Sequence, residues 1–179
     1  MNKQAIKTEL LIDGKKVLIG HDFLESIVRH IPDIKENREI FDALVFSNNP
    51  EILEYLTQID GLSKKSIHIL LNDDDQNVIA GVLTNADLAK HIKHKSLMKI
   101  IKSDNTKLLM WISASIESYV KCDLPKIIKI LANHKSAAVR YQLVKWRASD
   151  IVSTKILKKL SKDSDADVAK AAESALNKR

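Results

Sequence analysis

Residues 124–145 read LPKIIKILANHKSAAVRYQLVK, and this stretch decides the fold. An apolar helical turn ends at Leu131, a short polar break follows at residues 133–136, and a second apolar helix is under way at Val139. Apolar residues that return every three or four positions on both sides of a polar break are typical of two amphipathic helices joined by a tight turn. The stretch therefore predicts one helical pair.

The same pattern recurs along the chain at a fixed spacing. The first helix of four successive units ends 30, 30 and 29 residues apart, at Leu71, Ile101, Leu131 and Leu160. Eight residues later the second helix is under way, at Ile79, Leu109, Val139 and Val168. A period of this size is the signature of stacked helical pairs. We therefore predict an all-α fold, a right-handed α-α superhelix over residues 38–179, with the four helix-ending residues buried at equivalent sites.

Three stretches of the array carry a resemblance to a known class. Residues 131–140 and 160–168 resemble short HEAT-like repeats, and residues 71–85 also resemble the leucine-rich-variant repeat. The resemblance implies an α-solenoid that serves as an interaction surface, and a minority of such solenoids bind or repair DNA. The cysteine cluster found ahead of some leucine-rich-variant arrays is absent from this sequence, so no iron–sulfur cluster is implied.

Residues 1–37 do not follow the repeat. Two apolar runs flank Asp13-Gly14, a dipeptide that suits a type I′ turn, and this predicts a β-hairpin over residues 8–19. A short helix with Asp22 as its N-cap is expected to end before Pro32. We expect the segment to cover the first open face of the array, because terminal repeats need a cap.

The net charge of +6 is unevenly distributed along the chain. Residues 1–90 hold 10 Lys and Arg against 15 Asp and Glu, whereas residues 91–179 hold 19 against 8, so the halves carry −5 and +11. This asymmetry favours an acidic partner or a phosphate backbone at the C-terminal half. The alternative is solvation of outward helix faces, because only five of the 29 basic residues are arginine.

Two aromatic residues occupy outward positions on successive second helices. Trp111 projects away from the inward face of its helix, and Tyr141 holds the equivalent position one repeat later. The inward face consists of Leu109, Ile112, Ser113 and Ile116. The predicted partner-binding residues are Lys107, Trp111, Arg140, Tyr141 and Lys145. Basic residues among exposed aromatics can bind an acidic peptide or single-stranded nucleic acid. The alternative is that Trp111 only fills space between helices, as we expect of Trp146 in the core.

No set of residues in the sequence points to catalysis, a metal or a cofactor. His91 and His94 lie three apart on a predicted helix, but no carboxylate or cysteine close in sequence completes a metal site. The acidic run at residues 73–75 lacks the glycine and glutamate positions of an EF-hand and suits a helix cap. Cys122, the single cysteine, has no histidine nearby to activate it.

These observations leave three classes of function. We expect a non-catalytic interaction scaffold whose concave, basic C-terminal half binds a protein partner with an acidic surface. The alternative is a nucleic-acid-binding solenoid for DNA or RNA, related to HEAT-like DNA repair proteins. An enzyme is the third class. A solenoid DNA glycosylase would need a catalytic aspartate, and Asp104 suits a role in the polar break better than a catalytic role. A solenoid lyase acting on bilin chromophores stays open.

The apolar runs are all shorter than the ~20 residues that a membrane-spanning helix needs. No apolar stretch follows the charges at the N-terminus, so no secretory signal is visible, and the single cysteine fits a reducing compartment. We therefore expect a cytoplasmic protein that does not bind membranes.

Overall fold

The computed structural model describes residues 9–12, 15–18, 21–47, 49–145 and 150–179. The chain is predominantly helical and divides into two compact units, Met1–Leu88 and Ala89–Arg179. Trp146, which we expected in the core, lies outside the described residues. In the described part of the chain, no helix has the length and apolar character that crossing a membrane requires.

The first unit opens with two short strands, β1 (Glu9–Ile12) and β2 (Lys15–Leu18). They pair antiparallel with Leu10 opposite Val17. The residues between them, Asp13 and Gly14, lie outside the described residues, so the type I′ turn stays a prediction. Helix α1 (His21–Val28) ends before Pro32 as predicted, but it begins at His21. The prediction that Asp22 is the N-cap is therefore wrong, because Asp22 lies within the first turn.

Polar side chains cap the starts of three further helices of the first unit, at Asn49, Ser63 and Asp75. The side chain of Asn49 accepts the backbone N–H groups of Glu51 and Ile52, with Pro50 at the first helical position, and Asp75 accepts that of Asn77. These contacts satisfy N–H groups that have no partner within the helix. The 3₁₀ helix η1 (Lys35–Asn37) precedes α2 (Arg38–Leu44), α3 (Pro50–Leu56), α4 (Lys64–Leu70), α5 (Gln76–Thr84) and α6 (Ala86–Ala89).

Within the first unit, α5 packs against both α3 and α4. Helices α3 and α5 approach closely at Gly81, where an added Cβ would lie 2.6 Å from the Cβ of Thr57. Thr57 is itself buried, and its hydroxyl donates to the carbonyl oxygen of Glu54 at 2.7 Å. The spacing of these two helices therefore depends on the missing side chain at position 81.

Within its described residues, the second unit contains three helical pairs. Side chains of Asn105, Asp123, Ser153 and Asp165 accept backbone N–H groups at the starts of four of its helices. The helix bounds confirm the predicted breaks within the pairs of this unit, at residues 103–105, 132–136 and 161–165. The helices are α7 (His94–Lys102), α8 (Thr106–Ala114), the 3₁₀ helix η2 (Ile116–Ser118), α9 (Leu124–Leu131), α10 (Ala137–Lys145), α11 (Thr154–Leu160) and α12 (Ala166–Asn177).

In the second unit each second helix packs against the next second helix. Helix α8 contacts α7, α9 and α10, and α12 contacts α10 and α11. The helices α8, α10 and α12 therefore lie side by side in chain order. This is the packing that successive helical pairs need if they are to bury their apolar faces against one another.

The residues that define the period are buried. Leu71, Ile101, Leu131 and Leu160 are between 0% and 6% exposed, which confirms the prediction of their burial. The inward face predicted for α8 is also buried, although Ile116 belongs to η2 because α8 ends at Ala114. In α5 the register differs by one residue, since Val78 is buried and Ile79 is partly exposed.

Candidate functional site

Trp111 lies on the surface of α8. It is 41% exposed, whereas Leu109 and Ile112 on the same helix are 1% and 0% exposed. Lys107 lies one turn before Trp111, on the same side of the helix, and is exposed as well. A large part of the indole therefore faces solvent beside a lysine. This agrees with the prediction that Trp111 lies on the surface, and it disagrees with the alternative that Trp111 only fills space between helices.

Tyr141 and Lys145 lie one turn apart on α10, the helix that packs beside α8. The Nζ atom of Lys145 is 5.2 Å from the centroid of the Tyr141 ring, which is a cation–π distance. Tyr141 is half-buried and Lys145 is exposed. We define Lys107, Trp111, Tyr141 and Lys145 as the basic aromatic face.

Arg140, the fifth residue predicted to bind a partner, is engaged within the fold. Its Nε and Nη2 groups donate to the two carboxylate oxygens of Asp163, each at 2.7 Å. Its Nη1 group donates to the carbonyl oxygens of His134 at 2.7 Å and Lys135 at 3.0 Å. The side chains of Arg140 and Asp163 are only 13% and 9% exposed. We therefore leave Arg140 out of the surface that a partner would meet.

The contact between Arg140 and Asp163 also shifts the pKa of both side chains. The hydrogen bond between the two side chains raises the pKa of Arg140 and lowers the pKa of Asp163, because it favours the charged form of each group. The backbone N–H of Asp165 adds a further hydrogen bond to Asp163 at 3.0 Å. The pair joins the second helix of one repeat to the polar break of the next.

Asp104 makes a similar link between two breaks. Its carboxylate accepts from Nζ of Lys135 and from Nε2 of His134, the latter at 2.8 Å, and these hydrogen bonds lower the pKa of Asp104. Its φ of 55° lies in the left-handed region, which aspartate tolerates better than most residues. Together with Arg140 and Asp163, these contacts connect the breaks of three successive helical pairs. Asp104 thus lies in the break where the sequence placed it.

A groove of about 360 Å³ runs between α10 and α12. Tyr141, Val144 and Lys145 line it from α10. The other lining residues follow one side of α12 and include the residue just after its end, and they are Asp167, Lys170, Ala171, Ser174, Ala175 and Lys178. Sequence reasoning missed these α12 residues, although lysines spaced along one side of a helix with small residues between them carried the signal. The groove adjoins the basic aromatic face, because Tyr141 and Lys145 belong to both.

His91 and His94, the pair considered for a metal site, contact the segment that follows η2. Nδ1 of His94 accepts the backbone N–H of Asp123 at 3.3 Å, and Nδ1 of His91 lies 3.4 Å from Nζ of Lys121. Within the described ranges, no three His, Cys, Asp or Glu side chains are grouped so that they could hold a metal ion.

Cys122 is half-buried, and its Sγ lies 3.7 Å from the carbonyl oxygen of Ile92. Burial raises the pKa of the thiol. Because the thiolate is the reactive form, a raised pKa makes this cysteine a poorer nucleophile at neutral pH.

The geometry thus defines a predominantly helical protein, compatible with a helical repeat fold, that carries an exposed basic and aromatic surface on its second unit. No family model, curated protein sequence or solved structure gives a significant match to the chain. The function is therefore argued from the chemistry of this surface.

Proposed function

We propose that this protein is a non-catalytic interaction scaffold that binds a protein partner with an acidic surface through the basic aromatic face. The observation that carries the proposal is the 41% exposure of Trp111 beside Lys107, next to the helix that presents Tyr141 and Lys145. Tryptophan and tyrosine are enriched among the residues that dominate binding energies at protein interfaces. Lysines around them attract an acidic partner and speed its association.

The proposal includes the finer features of the fold. We place the helical pairs of residues 38–179 in the HEAT-like class, wound as a right-handed superhelix with residues 1–37 as the cap. The side-by-side order of α8, α10 and α12 within the second unit supports this placement. The proposed location is the cytoplasm.

Single-stranded nucleic acid is the second candidate partner. Bases stack on exposed aromatic side chains while lysines contact the phosphates, and the exposed indole of Trp111 suits this role. The engagement of Arg140 by Asp163 disfavours it, because that interaction holds within the fold an arginine that could otherwise contact phosphates. We therefore rank the acidic protein partner first.

Affinity capture from native lysate, with and without nuclease, tests the proposal. A protein retained after nuclease treatment should be lost with Trp111→Ala and weakened by Lys107→Glu, because the first removes the aromatic anchor and the second reverses a charge. Truncation of a tryptophan at the centre of an interface costs about 2 kcal/mol or more, which is roughly thirtyfold in affinity.

The matched control for Lys107→Glu is Lys155→Glu, at an exposed lysine of α11 that lines neither the face nor the groove. Thermal melting of each variant checks that the fold is retained. Retention of the partner by folded Trp111→Ala would refute the proposal. Recovery of nucleic acid without nuclease, with no protein left after it, would favour the second candidate.

A further inference from the structure

The groove between α10 and α12 has an uneven charge that limits what can occupy it. Three exposed lysines line it: Lys145 in α10, Lys170 in α12, and Lys178 just after the end of α12. A single acidic residue, Asp167, stands at the end near the start of α12. The groove therefore attracts negative charge along most of its length and positive charge at one end.

The floor of the groove is apolar and made of small side chains. Val144 and Ala175 are 2% and 4% exposed, and Ala171 lies between the lysines of α12. Side chains this small let a backbone approach the helices closely. An aliphatic group between two charged ones would cover this floor, and burial of apolar surface favours that arrangement.

The length of the groove sets the size of the occupant. Asp167 in α12 and Lys178, the residue that follows its end, are 11 residues apart, which corresponds to about 16 Å at the helical rise of 1.5 Å per residue. An extended peptide advances about 3.3 Å per residue, so about five residues span this distance. An acidic peptide of that length can place carboxylates opposite the lysines and one aliphatic side chain over the floor.

A nucleic acid strand fits these features less well. It carries a phosphate at every unit, so one phosphate would approach the Asp167 carboxylate. We propose that this groove binds an extended acidic segment of the partner protein, with carboxylates on Lys145, Lys170 and Lys178 and an aliphatic side chain over Ala171. This inference rests on the proposed function, because it specifies what the same partner presents next to the basic aromatic face.

The test is fluorescence anisotropy with the full chain and a labelled peptide of about six residues, in which glutamates flank one leucine. The peptide should bind, and Lys170→Glu with Lys178→Glu should weaken binding by about tenfold to a hundredfold, because two attractions become repulsions. The control Lys155→Glu with Lys158→Glu makes the same change in net charge outside the groove and should have little effect. A peptide with glutamine in place of every glutamate should not bind.

Four outcomes would overturn the inference. They are absence of peptide binding, equal weakening by the control pair, binding of the glutamine peptide with equal affinity, and tighter binding of labelled oligothymidylate through the same two lysines. The partner captured from lysate shows whether a failure concerns this inference or the proposed function. If it needs Trp111 but not Lys170 and Lys178, the groove inference fails and the scaffold stands. If the peptide binds the groove while no captured partner needs Trp111, the scaffold proposal fails.

Discussion

The ion pair between Arg140 and Asp163 allows a quantitative test of how the helical pairs of the second unit are joined. The replacement Arg140→Met removes the charge and keeps most of the aliphatic stem. It leaves the Asp163 carboxylate, 9% exposed, without its two 2.7 Å donors, and it leaves two carbonyl oxygens without the Nη1 group. Removal of one partner from this partly buried, hydrogen-bonded pair costs about 1–3 kcal/mol, because the remaining charged group loses its hydrogen bonds.

A double-mutant cycle separates the pair from the rest of the site. Asp163→Asn should also destabilise the protein, and the double variant should cost less than the sum of the two by about 0.5–3 kcal/mol, since neither unpaired charge remains. Urea unfolding followed by circular dichroism gives the free energy of unfolding for all four proteins. A loss below about 1 kcal/mol for Arg140→Met, or effects that add within about 0.5 kcal/mol, would refute this account of the ion pair.

Three further predictions follow from other contacts. The first concerns pH, because the pKa of Asp163 is lowered in the folded protein. The contribution of this group to stability is present above its unfolded pKa of about 3.9 and is lost as pH falls through the folded pKa. Denaturation curves of wild type and Asp163→Asn should therefore converge below about pH 4. Gly81→Ala should destabilise by about 1–3 kcal/mol, because the new Cβ meets buried Thr57, and a gain of stability in urea would contradict the packing of α3 and α5. Leu131→Ala should cost about 2–5 kcal/mol, and a change below about 1 kcal/mol would show that its burial contributes little.

The fold was predictable wherever local patterns decide it. The helix start at Asp75 follows from a side chain that accepts a backbone N–H group, and the acidic run at residues 73–75 predicted a helix cap there. The burial of Leu131 follows from the apolar period. The exchange of Ile79 for Val78 as the buried residue was not predictable, because both are apolar and only packing against neighbouring helices distinguishes them.

The candidate site was predictable only in part. The exposure of Trp111 follows from its angular position opposite the inward face of α8, which the helical period gives directly. The role of Arg140 does not follow from the helical period, because its partner Asp163 lies 23 residues away and the two residues meet only when successive helical pairs pack. The groove was missed for the same reason, since α10 and α12 are separated in sequence by a whole helix and form it only by packing.

The position of Cys122 provides a built-in reporter of motion. It is the single thiol of the sequence, and its contact with the carbonyl oxygen of Ile92 joins residues that are 30 positions apart. A chromogenic thiol reagent reacts faster when this half-buried group is fully uncovered, so a change in its rate reports a change in how often the segment after η2 separates from the residues before α7. The reaction rate of the thiol can thus be measured with and without a partner bound on α8 and α10. The comparison shows whether binding changes local opening at the edge of α9, and it needs no substituted residue.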